Sequence, residues 1–170
     1  MRGSGAPTPT TPSDDPTGLQ TFAVLLRRMN AEFNRITHEF AQDQGLHPTD
    51  VQALIAILDA DSGTDAAEGP MTPGRLRGHL DLTSGAMTAC LDRLERAGHI
   101  RRARAADDRR VVHLHYADAA KDVARDYFRP LAQGTDTARS RFTPEELAVV
   151  VRFLTEMNGE LAGLRRDKGH

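Results

Sequence analysis

Tryptophan is absent and cysteine occurs once in this chain of 170 residues, which has only two tyrosines and six phenylalanines. One thiol cannot close an internal disulfide. Cys90, with no cysteine or histidine pattern around it, cannot build a structural zinc site either, so stability has to come from packing. No apolar run approaches the roughly 18 residues that span a bilayer, which excludes a transmembrane helix and argues against a membrane partner. Residues 1–18 are rich in proline, threonine, serine, glycine and aspartate and lack an apolar centre. They predict a disordered tail rather than a secretory signal, and the chain is expected in the cytoplasm. There is no glycine-rich phosphate loop, no Ser-His-Asp set and no recognisable pair of catalytic carboxylates, so the chain does not read as an enzyme and no cofactor is expected.

What is present is an uneven distribution of charge. The whole chain has 22 Lys and Arg against 24 Asp and Glu, but residues 72–116 hold nine arginines (75, 77, 93, 96, 101, 102, 104, 109 and 110) against five acids. A basic middle in an acidic chain is the pattern of an electrostatic footprint gathered on one surface, although a solvated charged face has the same composition.

The apolar residues Leu19, Phe22, Leu26, Met29, Phe33, Ile36 and Phe40 recur in steps of three and four, which predicts a long amphipathic helix closed near Gly45. A second helix follows from Pro48, with Val51, Leu54, Ile55 and Leu58 expected on its inner face. Residues 59–69 read as a flexible acidic loop. Thr72-Pro73 starts a short helix to about Leu80, weakened by Gly74 and Gly78, and Thr83 caps another through Ala97 with Met87, Cys90, Leu91 and Leu94 inward and Gly98 closing it. Residues 100–104 and 110–116 form a β-hairpin, the second strand alternating Val112, Leu114 and Tyr116 with His113 and His115. Asp118 caps a helix through Val123, Tyr127 and Leu131, kinked at Pro130. Thr143-Pro144-Glu145-Glu146 signals the last helix, with the stripe Leu147, Val150, Leu154, Met157, Leu161 and Leu164.

Two helices joined by a short turn and followed by a hairpin with arginines at its tip predict a winged helix, the wing reaching DNA beside the inserted helix. The fold class is therefore mainly α with a small β-hairpin. A disordered tail at 1–18 precedes a dimerisation helix at 19–45 and a winged helix-turn-helix at 46–117. Two C-terminal dimerisation helices at 118–165 and a flexible tail at 166–170 follow. The long terminal stripes, Leu19, Phe22, Leu26 and Met29 in the first helix and Leu147, Val150, Leu154, Met157 and Leu161 in the last, suggest a homodimer; packing on each other within one chain is the alternative.

The run Leu82-Thr83-Ser84-Gly85-Ala86-Met87-Thr88-Ala89-Cys90-Leu91-Asp92-Arg93-Leu94-Glu95-Arg96-Ala97-Gly98-His99-Ile100, with Asp108-Arg109-Arg110 ahead of an alternating strand, resembles the MarR (multiple-antibiotic-resistance regulator) family of transcription regulators. The resemblance implies a homodimer on a pseudo-palindromic double-stranded operator, acting as a repressor released by a small-molecule effector whose pocket residues the sequence does not identify. It makes residues 83–97 the recognition helix. Thr83, Ser84 and Gly85 then lie at its positive end near phosphate, and Ser84, Thr88 and Ala89 become candidates for base edges. Arg93, Arg96, Arg102 and Arg104 become phosphate candidates, Arg109 enters a narrow minor groove, and Asp108 structures the wing by holding Arg110 or Arg101.

His113 and His115 are too few for a metal site, and no metal is expected. An inward Cys90 is expected to be an inert apolar side chain rather than the redox sensor known in one branch of the family. Loop residues Asp59, Asp61, Asp65 and Glu68 would repel DNA if they swung toward it. The rival function is a dimeric ligand-binding or protein-interaction scaffold that has lost DNA binding.

Overall fold

A computed structural model describes residues 15–62, 69–105 and 108–167. Of the expected tails at 1–18 and 166–170, residues 1–14 and 168–170 lie outside the described residues, as do the loop acids Asp65 and Glu68 and the wing-tip residue Asp107, while residues 166–167 continue the last helix rather than forming a tail. The elements run α1 (Leu19–Asp43), α2 (Pro48–Asp61), α3 (Pro73–Leu80), α4 (Ser84–Arg96), β1 (Ile100–Arg104), β2 (Val112–Tyr116), α5 (Asp118–Arg139) and α6 (Pro144–Asp167). Mainly helical with one antiparallel hairpin, this is the winged-helix order. The chain divides into two compact units, Met1–Ala117 and Asp118–His170.

In the first unit the core lies where α2, α3, α4 and the hairpin converge. Val51, Leu54 and Ile57 of α2, Leu76 of α3, Met87, Cys90, Leu91 and Leu94 of α4, and Ile100, Leu114 and Tyr116 of the hairpin are all buried. Only Phe40 and Ala41, at the end of α1, join them. The inner face of α2 differs from expectation: Ile57 is buried, whereas Ile55 and Leu58 are 45% and 37% exposed. Residues 53–58 are all apolar, so several stripes fit the sequence, and the choice falls to the helices and hairpin that pack on α2. The helix also runs further than its composition suggests. Asp59 and Asp61 are helical rather than loop, and Asp61 accepts from the Tyr116 N–H and His115 Nδ1, both at 3.0 Å.

Three local devices fix the start of α3 and its turn into α4. Thr72 Oγ1 accepts the Arg75 N–H, and the Arg75 guanidinium bonds the carbonyls of Gly69 and Pro70, so α3 forms despite its two glycines. Asp81 closes α3 in the left-handed region at φ 52°. Thr83 Oγ1 then accepts the Ala86 N–H and starts α4, which Gly98 ends at φ 78°. In the hairpin, Ile100 pairs with Tyr116, Arg102 with Leu114 and Arg104 with Val112; Leu114 N–H also reaches the Met71 carbonyl at 2.8 Å, binding the segment before α3 to the wing.

In the second unit Asp118 begins α5, where a carboxylate suits the positive helix end, and Pro130 lies inside a helix that continues to Arg139. Thr143 and Glu146 form the expected reciprocal cap of α6, with Thr143 N–H on Glu146 Oε2 at 2.8 Å and Glu146 N–H on Thr143 Oγ1 at 3.3 Å. The apolar faces of the long helices stay uncovered: Leu19, Phe22 and Met29 of α1 and Val150, Leu154, Leu161 and Leu164 of α6 are exposed, with Leu26, Leu147 and Met157 partly buried. No described helix is long and apolar enough to cross a membrane.

Candidate nucleic-acid interface

The core face of α4 determines what its opposite face presents. With Met87, Cys90, Leu91 and Leu94 inward, Thr83, Ser84, Gly85, Thr88 and Ala89 are all exposed along the first turns. They are small, so the helix surface there is low, and backbone can approach a flat or grooved partner closely. Thr83 spends its oxygen on the cap. Ser84 Oγ accepts from Arg77 Nη1 at 2.9 Å, and Thr88 Oγ1 donates to the Ser84 carbonyl at 3.0 Å.

The arginines separate into two groups. Arg93, a phosphate candidate under the family resemblance, places Nε and Nη2 on the two oxygens of Asp50 at 3.0 and 2.6 Å. Arg102, another, bridges Asp92 at 2.5 Å and Glu95 at 3.1 Å across the gap between β1 and α4. Spacing could not reveal these pairs, because their carboxylates arrive through tertiary packing or from the neighbouring helix. Arg96, Arg101, Arg104, Arg109 and Arg110 are exposed and form no ion pair among the described residues. All five belong to the end of α4 and the hairpin. At the wing, Asp108 Oδ1 accepts the backbone N–H of Arg110 at 2.9 Å, which shapes the turn through the main chain.

Beneath this surface sits a buried polar group that sequence reasoning missed. Asp50, fully buried in the first turn of α2, accepts from Arg93, from the Cys90 thiol and from the His47 N–H at 3.1 Å. Burial pushes its carboxyl upward, but the Arg93 guanidinium, followed by the thiol and the amide, outweighs burial and holds it below its ordinary range. The one available signal was His47-Pro48-Thr49-Asp50, a helix start with an acid three residues after the cap. Burial, with Asp50 as acceptor, pushes the Cys90 thiol up to about 12, so this sulfur stays protonated, as an inward position implied.

His99 is 7% exposed, and its Nδ1 has no hydrogen-bond partner. Burial lowers its pKa below 6.5, against a weaker upward pull from Asp50. A histidine held neutral in the fold contributes stability that is full above pH 6.5 and is lost as pH falls below it, because the unfolded chain then binds the extra proton. The stability of His99→Phe relative to the unsubstituted chain should therefore rise between pH 7.5 and pH 5.5 in urea titrations. A constant difference would show that His99 does not carry this linkage.

Beside α4 a pocket of ≈ 530 Å³ is lined by residues 45–47 and Thr49 on one side and by Leu82, Ala86 and Arg93 on the other. No group of three or more His, Cys, Asp or Glu among the described residues is arranged to hold a metal ion.

Residues 66–112, from the approach to α3 through the wing, match the model of the MarR family. The HTH-type transcriptional regulator YcgE of Bacillus subtilis, itself uncharacterized, is 33% identical over 135 residues, covering 79% of this chain and 82% of the relative. The chain belongs to the MarR family. Two solved structures share the fold of this MarR-family regulator. One is a MepR mutant from S. aureus, at a TM-score of 0.66 and 17% identity, covering 82% of this chain and 96% of that one. The other is the S. aureus MepR–DNA complex, at a TM-score of 0.51 and 17% identity over 82% and 98%. In this MarR-family chain the matched segment contains α3, α4 and β1 with all their exposed arginines, so the family signature and the candidate interface coincide.

Proposed function

We propose that the chain is a homodimeric transcriptional repressor that binds a pseudo-palindromic operator and is released by a small-molecule effector. The observation that carries this reading is the low, exposed face of α4 (Thr83, Ser84, Gly85, Thr88 and Ala89) flanked by arginines that form no ion pair among the described residues. In this reading α4 enters the major groove and meets bases through Ser84, Thr88 and Ala89. Arg96, Arg104 and Arg110, with Arg101, neutralise phosphates, and Arg109 reaches the adjacent minor groove from a turn that Asp108 shapes. A protein of this fold, MepR, forms a complex with DNA, which supports DNA as the partner.

Dimerisation is supported by the uncovered apolar faces of α1 and α6 and assigns residues 19–45 and 118–165 to the contact between copies. Two-fold symmetry then sets the half-sites about one helical turn, ~34 Å, apart. An effector can release the operator only by binding the non-DNA geometry more tightly. The pocket against Ala86 and Arg93 gives it a place to bear on α4.

Titration of the DNA upstream of the chain's own gene in mobility shifts at 50 and 200 mM salt tests this. Affinity should fall on the order of 10³-fold across that range, as expected for some six or more phosphate contacts. Arg109→Ala should weaken binding about tenfold while leaving the assembly state unchanged. Absent or salt-insensitive binding would favour the scaffold reading.

A further inference from the structure

The side chain that sets how Ser84 presents itself lies on the preceding helix. Arg77, exposed in the last turn of α3, donates through Nη1 to Ser84 Oγ at 2.9 Å, across the turn that Asp81 closes. Leu82 N–H on the Arg77 carbonyl at 3.1 Å ties the same turn together, so the guanidinium starts from a fixed base. One turn along α4, Thr88 Oγ1 donates its hydrogen to the Ser84 carbonyl at 3.0 Å.

These two bonds have opposite polarity. A hydroxyl has one hydrogen and two lone pairs. Ser84 accepts from a cation, so its own hydrogen is unspent and turned away from the guanidinium. Thr88 has used its hydrogen and offers lone pairs and a methyl group. Four residues apart, the two side chains are neighbours on one helix face.

We infer that Arg77 is a positioning residue for base readout, holding Ser84 as a hydrogen-bond donor toward an acceptor on a base edge. The inference rests on the DNA-binding reading above. In the major groove the acceptors are guanine O6 and N7, adenine N7 and thymine O4, whereas the amino groups of cytosine and adenine are donors. The positive charge beside Ser84 Oγ repels an amino hydrogen and favours an electron-rich acceptor. Thr88, with its hydrogen committed, reads the opposite sign one turn further on. Arg77 has no carboxylate partner among the described residues, so a simple phosphate contact is the competing role.

Selection of bound duplexes from a randomised pool, using the full chain, separates these roles. The unsubstituted protein should prefer acceptor edges at one position per half-site by about fivefold, the value of one net hydrogen bond. Ser84→Ala and Arg77→Ala should each lose that preference at that position, and the double variant should lose nothing more there. Arg77→Lys, which still donates, should keep it. Arg77→Ala weakening all sequences alike with the preference intact, or additive losses in the double variant, would overturn the inference in favour of a phosphate contact. If the unsubstituted protein enriches no sequence, the DNA-binding reading itself fails and takes this one with it. An enriched operator whose base preference ignores Arg77 refutes the positioning role alone.

Discussion

Arg93→Ala should cost roughly 2 to 4 kcal/mol of folding stability at pH 7.5, far more than an ordinary surface arginine, because it leaves the Asp50 carboxylate buried without its cation. The Asp50 side chain is 1% exposed and that of Arg93 45%, so the penalty falls on the acid, and the half-solvated guanidinium keeps the figure below that of a fully buried pair. Deprived of Arg93, Asp50 keeps the Cys90 thiol and the His47 N–H, while burial drives its pKa above the unfolded value. The loss must therefore be greatest at neutral pH and shrink as pH falls toward the ordinary carboxylate range, where the acid is protonated in both states. Arg102→Ala is the control. Its partners Asp92 and Glu95 are 47% and 45% exposed in their side chains, and the change should cost under about 1 kcal/mol. Urea unfolding of both variants at pH 7.5 and pH 5 checks the contrast. Equal, pH-independent losses would mean that Asp50 does not depend on Arg93.

Leu154→Asp should convert a dimer into a monomer and lower operator affinity at least about a hundredfold, because two linked half-site contacts become one. Leu154 is 39% exposed on α6, so a charge there costs the single chain little while facing a partner's apolar surface in the proposed dimer. Leu19→Asp, at a position 86% exposed on α1, examines the other half of the proposed contact by the same logic. Light scattering reports the mass and circular dichroism the helix content. A variant that stays dimeric and binds operator within a few-fold of normal would remove these helices from the interface.

The elements that sequence made legible are those whose signals are local. The inward set of α4, the Thr143 cap and the closing Gly98 each depend on residues within a turn or two of one another and stand in the structure as their patterns implied, while in β2 Leu114 and Tyr116 are buried but Val112 is only half-buried, like His113 and His115. The surface of the candidate interface was legible for the same reason, since an inward face fixes an outward one. What escaped reading depends on partners distant in the chain. Asp50 and Arg93 are 43 residues apart and Asp61 and His115 are 54 apart, so neither pairing leaves a periodic trace. Arg93 and Arg102 therefore look like free cations until the carboxylates beside them are known. On α2 the apolar run was too continuous to single out Ile57 over Ile55 and Leu58, and the acids at its end looked like a loop because aspartate favours turns when nothing else engages it.

Those two acids give α2 the character of a chassis. Asp50, in its first turn, bolts on α4 through Arg93, and Asp61, its last residue, bolts on the hairpin through His115 and the Tyr116 amide, roughly 16 Å further along the same rod. Both are thus tied to one rod, and in the proposed DNA-binding role helix and wing travel as a single reading head. Prising one from the other means stripping a carboxylate of its partners, whereas tilting the whole head leaves both joints intact. In the proposed dimer, loss of an operator is accordingly a matter of where each head is carried, with the spacing between helix and wing within it held constant.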